Sequence, residues 1–330
     1  MMATGTIRMA ALALVASVAT ANAQEIALRL ASFANDGDSF GQAQTRFAEE
    51  LERLSDGRMG LQIFNNNTLG SNREALEIAK TGGVDFVVTG LAHATRDAPE
   101  LNAVLLPYLW ADRESMFATL DGEIGGRLSD TLAPQDLSII GWWDNGFRHV
   151  SNNRGPILEP EDIAGLRLRT LPSAVHVAFF RALGAIPTPL DFSELMPALR
   201  QGVIDGQENP PAVVYPFQIY EAQRFYSLTG HVNEPMVLVM SLGTANRLSE
   251  TDRAIVAEAA ATASAFQREL NDARTAELLG NLAAHMEINE VPDTTLAHFR
   301  EVALSIYEEA LADMGDEGRA IVEAIVASSR

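Results

Sequence analysis

From Ile26 the sequence alternates short apolar runs with longer amphipathic ones, and this order narrows the available folds more than any other feature. Residues 26–31 read as a strand. The stretch "SFGQAQTRFAEELERL" follows, with Phe40, Phe47, Leu51 and Leu54 at helical spacing, Ser39 as N-cap and Gly57 past its end. Residues 59–64 are a second strand. "SNREALEIAK" is a helix opened by a Ser71/Glu74 capping box and stopped at Gly82-Gly83. Residues 84–88 are a third strand, apolar enough to be covered on both faces. Strand-helix-strand-helix-strand predicts a parallel sheet with right-handed crossovers.

The same grammar continues. Helices are expected over 111–120 and 122–132, a strand over 137–143, and a loop at "SNNRGPILEP". A second alternation then begins: a strand at "GLRLRT", a helix closed by Gly184, a strand at "AIPTPL", a helix closed by Gly202, and a strand and turn at "VIDGQENP". A helix over 211–221 and two strands, "RFYSLTG" and "PMVLVMS", complete it. The last third is helical. A helix capped at "SETD" runs to about residue 285, long enough to brace two lobes, and a short strand near 286–291 and two helices follow. Two α/β units joined by crossing segments predict two lobes with a cleft between them.

The chain has 330 residues, enough for two ordinary domains. Arg8, the apolar stretch 9–19 and the small-residue triplet Ala21-Asn22-Ala23 predict a signal peptide over 1–23, with Gln24 starting the secreted protein. That apolar stretch is shorter than the roughly 20 residues a membrane span needs. A periplasmic protein with no direct membrane insertion is therefore expected. Cysteine is absent, which removes disulfides, thiolate catalysis and cysteine-ligated metals. The formal charge of -20 argues against nucleic acid and anionic lipid as partners. A G-x-S-x-G elbow, an H-E-x-x-H pair and a glycine-rich phosphate loop are all missing, so catalysis, a metal and a cofactor are not expected. The six histidines are scattered; His176, in the helix after "LRT", is the one placed near a candidate site.

Positive charge is scarce and nearly all arginine, Lys80 being the single lysine. Arg167 and Arg169 share a strand face, and Arg169 lies at the strand's carboxyl edge, where parallel sheets bind ligands. The helix opening at Ser173 points its N–H groups to the same region. Two readings stay open: a structural ion pair, or a guanidinium fork clamping a carboxylate. A clamp at about 1.5–3 kcal/mol per charge-assisted bond would supply much of the roughly 8 kcal/mol of a micromolar complex. In "QENP", Glu208 can orient a neighbouring arginine, Asn209 offers donor and acceptor, and Pro210 leads into a helix. One of Trp142 and Trp143 should face the core and the other can line the cleft; Trp143 is taken as the cleft residue.

"GLRLRT" followed by "ALGAIPTPLDFSELMPALRQGVIDGQENP", with "NTLGSNREALEIAKTGGVDF" and "NGFRHVSN", resembles the solute-binding proteins of tripartite ATP-independent periplasmic (TRAP) transporters, the DctP type, from about Ile26 to the C-terminus. The resemblance implies an α/β, two-lobed periplasmic-binding-protein fold with mixed, mostly parallel sheets, crossing strands and a long bracing helix. Lobe I would comprise 24–147 plus about 235–274, and lobe II 148–234 plus about 275–330. It implies a non-catalytic monomer that captures a small organic acid and delivers it to TRAP membrane permease subunits. By the same resemblance Arg169 pairs bidentately with the ligand carboxylate, Arg148 and Asn209 contact the ligand, and Phe192 packs against it. Lobe I candidates are Asn35, Asp36 and Asp38 in the first turn, Asn72 and Arg73 at a helix start, and Thr89–Leu91. The acidic residue that sialic-acid-binding members carry near the last position is not at Thr89-Gly90-Leu91, so that ligand is not implied. The alternatives are a receptor for a sulfonate or zwitterion, or a binding protein of another transporter or sensor class. Which organic acid is bound is not legible in the residues.

Overall fold

The computed structural model describes residues 25–328; the expected signal peptide lies outside them. Strands and helices follow in the order β1 (Ile26–Ser32), α1 (Ser39–Leu54), β2 (Met59–Phe64), α2 (Asn72–Lys80), β3 (Phe86–Gly90), α3 (Arg113–Leu120), α4 (Glu123–Asp130) and β4 (Leu137–Trp143). Next come β5 (Phe147–Asn152), β6 (Arg167–Thr170), α5 (Ala174–Ala182), β7 (Ile186–Pro189), α6 (Phe192–Arg200), β8 (Gly206–Asn209), α7 (Pro211–Val214) and β9 (Phe225–Asn233). The chain ends with β10 (Met236–Ser241), α8 (Leu242–Arg247), α9 (Glu250–Leu282), β11 (Glu287–Glu290), α10 (Asp293–Asp313) and α11 (Gly315–Ser328).

The strands form two mixed sheets. The first has the order β2-β1-β3-β10-β4, the second β11-β9-β5-β8-β6-β7. β1 runs parallel to β2 and β3, and β6 parallel to β7 and β8, as the two alternations predict. The crossing strands are antiparallel: β10 against β3 and β4, β5 against β8 and β9. Helices cover both faces of each sheet, so β10 is buried at every residue. Its Val237 and Val239 face one apolar cluster, its Met236, Leu238 and Met240 the other.

Two strand pairs carry the chain between the sheets. β4 leads through Asp144–Gly146 into β5, and β9 leads through Glu234-Pro235 into β10. Trp143 pairs with Met236 on one side of this crossing and Phe147 with Asn233 on the other. Gly146 holds φ +89°, a left-handed conformation that a side chain disfavours, and its N–H bonds Asp144 Oδ1 at 3.0 Å. The long helix α9, about 50 Å by its 33 residues, packs on α1, β4 and α7 before the chain joins the second sheet at β11. α11 lies against α4 and the turn Pro99–Leu105, with Arg127 on Glu317 at 2.9 Å.

Local departures have local causes. The N-cap of α1 is Asp38, not Ser39: the Asp38 carboxylate takes the Gly41 N–H at 2.7 Å and the Asn35 N–H at 3.0 Å. The third strand is shifted to Phe86–Gly90 because Asp85 is spent accepting from the Arg29 N–H at 2.6 Å. β5 has no counterpart in the sequence reading, and its last two residues, Ser151 and Asn152, fall in the stretch read as loop, since they are buried with polar partners and mimic a solvated stretch. The helix expected over 211–221 stops at Val214. Pro216 donates no N–H and Gln218 sits at φ +56°, which leaves a 3₁₀ turn at Ile219–Glu221.

Candidate functional site

A cavity lies where the carboxyl ends of β3, β6 and β8 meet the crossing strands. This is the position at which open α/β sheets bind ligands. Arg169, Arg148, Asn209 and Phe192 line it from the second sheet's side, and Asn72 and Gly90 from the first's. Six of the residues singled out from the sequence therefore meet at one place.

Arg169 is 1 % exposed. Its Nε and Nη2 both donate to the Leu190 carbonyl, at 3.0 and 2.7 Å, which fixes the plane of the guanidinium. Its Nη1 is buried and has no hydrogen-bond partner among the described residues. Burial, helped by the like charge of Arg148, pulls its pKa down to about 10, against the pull of Glu208, Glu234 and Asp191. It is charged at pH 7 and has N–H groups to offer.

Arg148 differs. Its Nε and Nη2 grip the Glu208 carboxylate, Nη2 also meets the Glu208 carbonyl, and Nη1 reaches Glu234 Oε2 at 3.0 Å. All three side chains are buried. Glu208 also receives His231 Nε2 at 3.2 Å, while His231 Nδ1 meets Thr229 Oγ1 at 2.9 Å. Burial pushes Glu208 up, but Arg148 and His231 bring it below the usual carboxylate range. Glu208 thus orients an arginine, as its place in "QENP" predicted, and most of Arg148's charge is spent inside the protein.

The remaining walls are polar amides and aromatic rings. Asn209 Nδ2 donates to Gln207 Oε1 at 2.6 Å, and its carbonyl takes the Tyr226 hydroxyl at 2.9 Å. Asn72, the first residue of α2, accepts from Thr89 Oγ1 at 2.9 Å. Phe192 meets Phe33 edge-on at 5.8 Å and Phe217 at 4.8 Å, an aromatic wall built from both halves of the molecule.

Four candidates lie elsewhere. Trp143 is not a cleft residue: its ring turns to α9, where Nε1 donates to Ser264 Oγ at 3.0 Å. Trp142 packs in the other apolar cluster, so helices take both faces of β4. His176 is buried where α5 packs on the turn Pro99–Leu105 and does not line the cavity. Asn35 shapes the turn before α1, accepting from the Asp38 N–H at 3.2 Å, and faces a separate groove beside Tyr215 and Arg274. Arg73 is engaged by Glu77 and Asp97 at 2.9 and 3.1 Å.

Seven lining residues were not singled out from the sequence, among them the polar or aromatic Phe33, His93, Asn145 and Glu234. Asn145 and Glu234 sit in the two crossings, inside "WWDNGF" and "HVNEPMV". A polar pair interrupting two apolar strands is the signal that marks them. Glu234 Oε1 accepts from the Ala92 N–H at 3.2 Å and stands over Gly90, where a Cβ would come within 2.7 Å of it. Glycine at 90 is the condition for that close approach.

His93 and His176 are buried and His149 half-buried, and desolvation holds their pKa values down to about 4, 3 and 3 in the order His93, His149, His176. The ordinary value in an unfolded chain is about 6.5. The unfolded state therefore binds more protons below pH 6.5, and stability present above that pH is lost as the pH falls toward the folded values. Asp38 opposes this: burial raises it to about 6, so its contribution is present at low pH and lost between about pH 4 and 6. His93→Gln is expected to flatten the decline between pH 6.5 and 5 by about 1.4 kcal/mol per unit, read as melting temperature against pH beside the wild type. Parallel curves would mean that His93 is already charged in the folded protein.

Residues 30–313 match the family described as bacterial extracellular solute-binding protein, family 7. A solute-binding protein of Roseobacter denitrificans is 34% identical over 322 residues, covering 96% of each chain. The crystal structure of a sugar acid binding protein from Advenella mimigardefordensis, in complex with galactonate, superposes with a TM-score of 0.89 at 30% identity, over 92% of this chain and 99% of that one. A TRAP periplasmic solute-binding protein from Sulfurospirillum deleyianum with bound succinate gives 0.87 at 26% identity, over 93% and 100%.

Proposed function

Given that the chain belongs to the bacterial extracellular solute-binding proteins of family 7, the TRAP transporter type, we propose that it captures a small organic acid by its carboxylate on Arg169 and hands it, chemically unchanged, to TRAP permease subunits from the periplasm. The observation that carries this reading is the buried guanidinium with an unused Nη1 in the cavity wall. A carboxylate supplies the missing acceptor, and a buried site strengthens the charge-assisted pair. Galactonate and succinate, the ligands of two similar proteins, have this group in common.

We take lobe I as 24–147 plus about 235–274 and lobe II as 148–234 plus about 275–330, hinged at Asp144–Gly146 and Glu234-Pro235, with α11 reaching back to pack on α4 and the turn Pro99–Leu105 of lobe I. On that division, Phe33 against Phe192 and His93 beside Asp191 at 3.8 Å are contacts made when the lobes shut. A ligand touching both lobes favours the shut form by its differential affinity for it. No helix among the described residues is long and apolar enough to cross a membrane, which suits a protein that shuttles to its permease as a monomer.

The test is a thermal-shift screen of the purified protein against organic acids, followed by recovery of the bound acid for mass spectrometry. An acid present at 100 times its Kd is expected to stabilise the protein by about 2.7 kcal/mol and to be recovered intact. Silence across sugar acids, hydroxy acids and dicarboxylates alike, with a shift from a sulfonate or a zwitterion, would transfer the site to those ligands.

A further inference from the structure

Resting on the carboxylate reading above, we infer that the ligand carries a single carboxylate and at least one hydroxyl, with Asn145 reading the hydroxyl and Glu234 barring a second carboxylate. The two similar proteins hold ligands of both kinds, one a hydroxylated monoacid and one a diacid, so the family leaves the choice open. The cavity of this chain does not.

The charges come first. Arg169 is the cavity cation with nitrogen to spare. Arg148 faces the same cavity, but Glu208 and Glu234 already take all three of its nitrogens. One carboxylate on Arg169 takes up its spare nitrogen. A second would be buried without a partner, which is among the costliest arrangements a closed site can hold.

The wall opposite adds repulsion. Glu234 is 1 % exposed and lines the cavity with an accepting carboxylate, held there by the Ala92 N–H and by Arg148. Burial already pushes its pKa up while Arg148 opposes the shift. Another anion in the cavity would meet this charge at close range with no water to screen it.

Asn145 supplies the positive half. It is 2 % exposed, lines the cavity, and its Oδ1 is buried without a partner among the described residues. Its backbone is not free to relieve this by turning. Asp144 on one side is tied to α9, with its N–H on Gln267 Oε1 at 2.7 Å and its carbonyl on Gln267 Nε2 at 2.8 Å, and its carboxylate accepts from Asn271 at 3.0 Å. Gly146 on the other side is pinned to Asp144 Oδ1. A buried acceptor without a partner wants a donor. At neutral pH a carboxylate has none, and an alkyl chain has none; a hydroxyl has one. A site built to hydrogen-bond a hydroxyl rejects the analogue without it strongly.

Calorimetry with acids of matched length tests this on the wild-type chain alone. The four-carbon set is erythronate, succinate and butyrate; the six-carbon set is galactonate, galactarate and hexanoate. In whichever set binds, the hydroxylated monoacid is expected to bind about 100-fold more tightly than the diacid or the plain acid. Glu234→Gln is expected to raise diacid affinity about tenfold, and Asn145→Ala to weaken the hydroxylated acid about tenfold while leaving the plain acid unchanged. A diacid or a plain acid binding as tightly as its hydroxylated partner overturns the inference and leaves the Arg169 clamp standing. Failure of all six acids to bind at millimolar concentration overturns both.

Discussion

Arg169→Ala is expected to lose organic-acid binding by roughly 100- to 1,000-fold or more while the unliganded protein melts close to the wild type. The first half follows from chemistry at the cavity wall. Truncating one partner of a buried charged pair costs about 2–5 kcal/mol, and tenfold in affinity is about 1.4 kcal/mol. The second half follows from what the wild type tolerates without ligand. Burial is the main reason that the Arg169 pKa falls to about 10, and Nη1 has no partner. Removing the side chain relieves that desolvation but takes two N–H groups from the Leu190 carbonyl, and the two effects oppose each other. Arg169→Lys refines the test. Lysine keeps the charge but cannot hold Leu190 and a carboxylate in one rigid plane, so its affinity should fall between those of the wild type and the alanine variant. Calorimetry measures affinity and a melting curve measures stability. Retention of wild-type affinity in Arg169→Ala would remove the clamp.

The part of the site that was legible came from strand and helix grammar. Arg169 was found because alternation in "GLRLRT" placed one scarce cation at the carboxyl end of a strand, and that placement needs only local rules. Glu208 was legible as an arginine's partner for the same reason. Trp143 shows where local rules stop. Alternation puts it opposite Trp142, but β4 has α9 on one face and helix α4 on the other, so neither ring reaches the cavity. His176 is near the anion site in sequence, but it packs behind the site on the turn Pro99–Leu105 and does not line the cavity. Asn145 and Glu234 were invisible for a deeper reason. Each belongs to a crossing between sheets, and its neighbours are set by how two distant strands meet rather than by its own period. The sialic-acid comparison shows the same limit. Thr89-Gly90-Leu91 has no acid, yet an acid stands over Gly90, delivered from residue 234. β5 escaped because all its buried residues except Val150 are polar, and a hydropathy pattern reads satisfied polar groups as solvated ones.

The largest stability effect is expected at Arg148. Its guanidinium is the shared partner of two buried carboxylates, so Arg148→Met strands Glu208 and Glu234 together. Breaking a buried pair by removing one partner costs about 3–5 kcal/mol; at about 2–4 °C per kcal/mol for a chain of this order of size, the melting temperature should fall by roughly 6–20 °C. The pH dependence separates stranded charge from lost packing. In the wild type, Arg148 and His231 hold Glu208 below the usual carboxylate range, so its contribution is present above an unfolded pKa of about 4.3 and is lost as the pH falls below that. In Arg148→Met, burial acts without Arg148 to oppose it, and both carboxylates shift upward. The folded variant then binds more protons than its unfolded chain above pH 4.3, which reverses the sign. Its deficit relative to the wild type should shrink as the pH is lowered from 7 to 5. Glu208→Gln and Glu234→Gln added to Arg148→Met should recover much of the loss at pH 7, since a pair replaced as a whole costs far less than a pair broken. A deficit that is the same at pH 7 and pH 5, and untouched by the two glutamines, would mean that Arg148 stabilises by filling space and that the carboxylates around it are held by other groups.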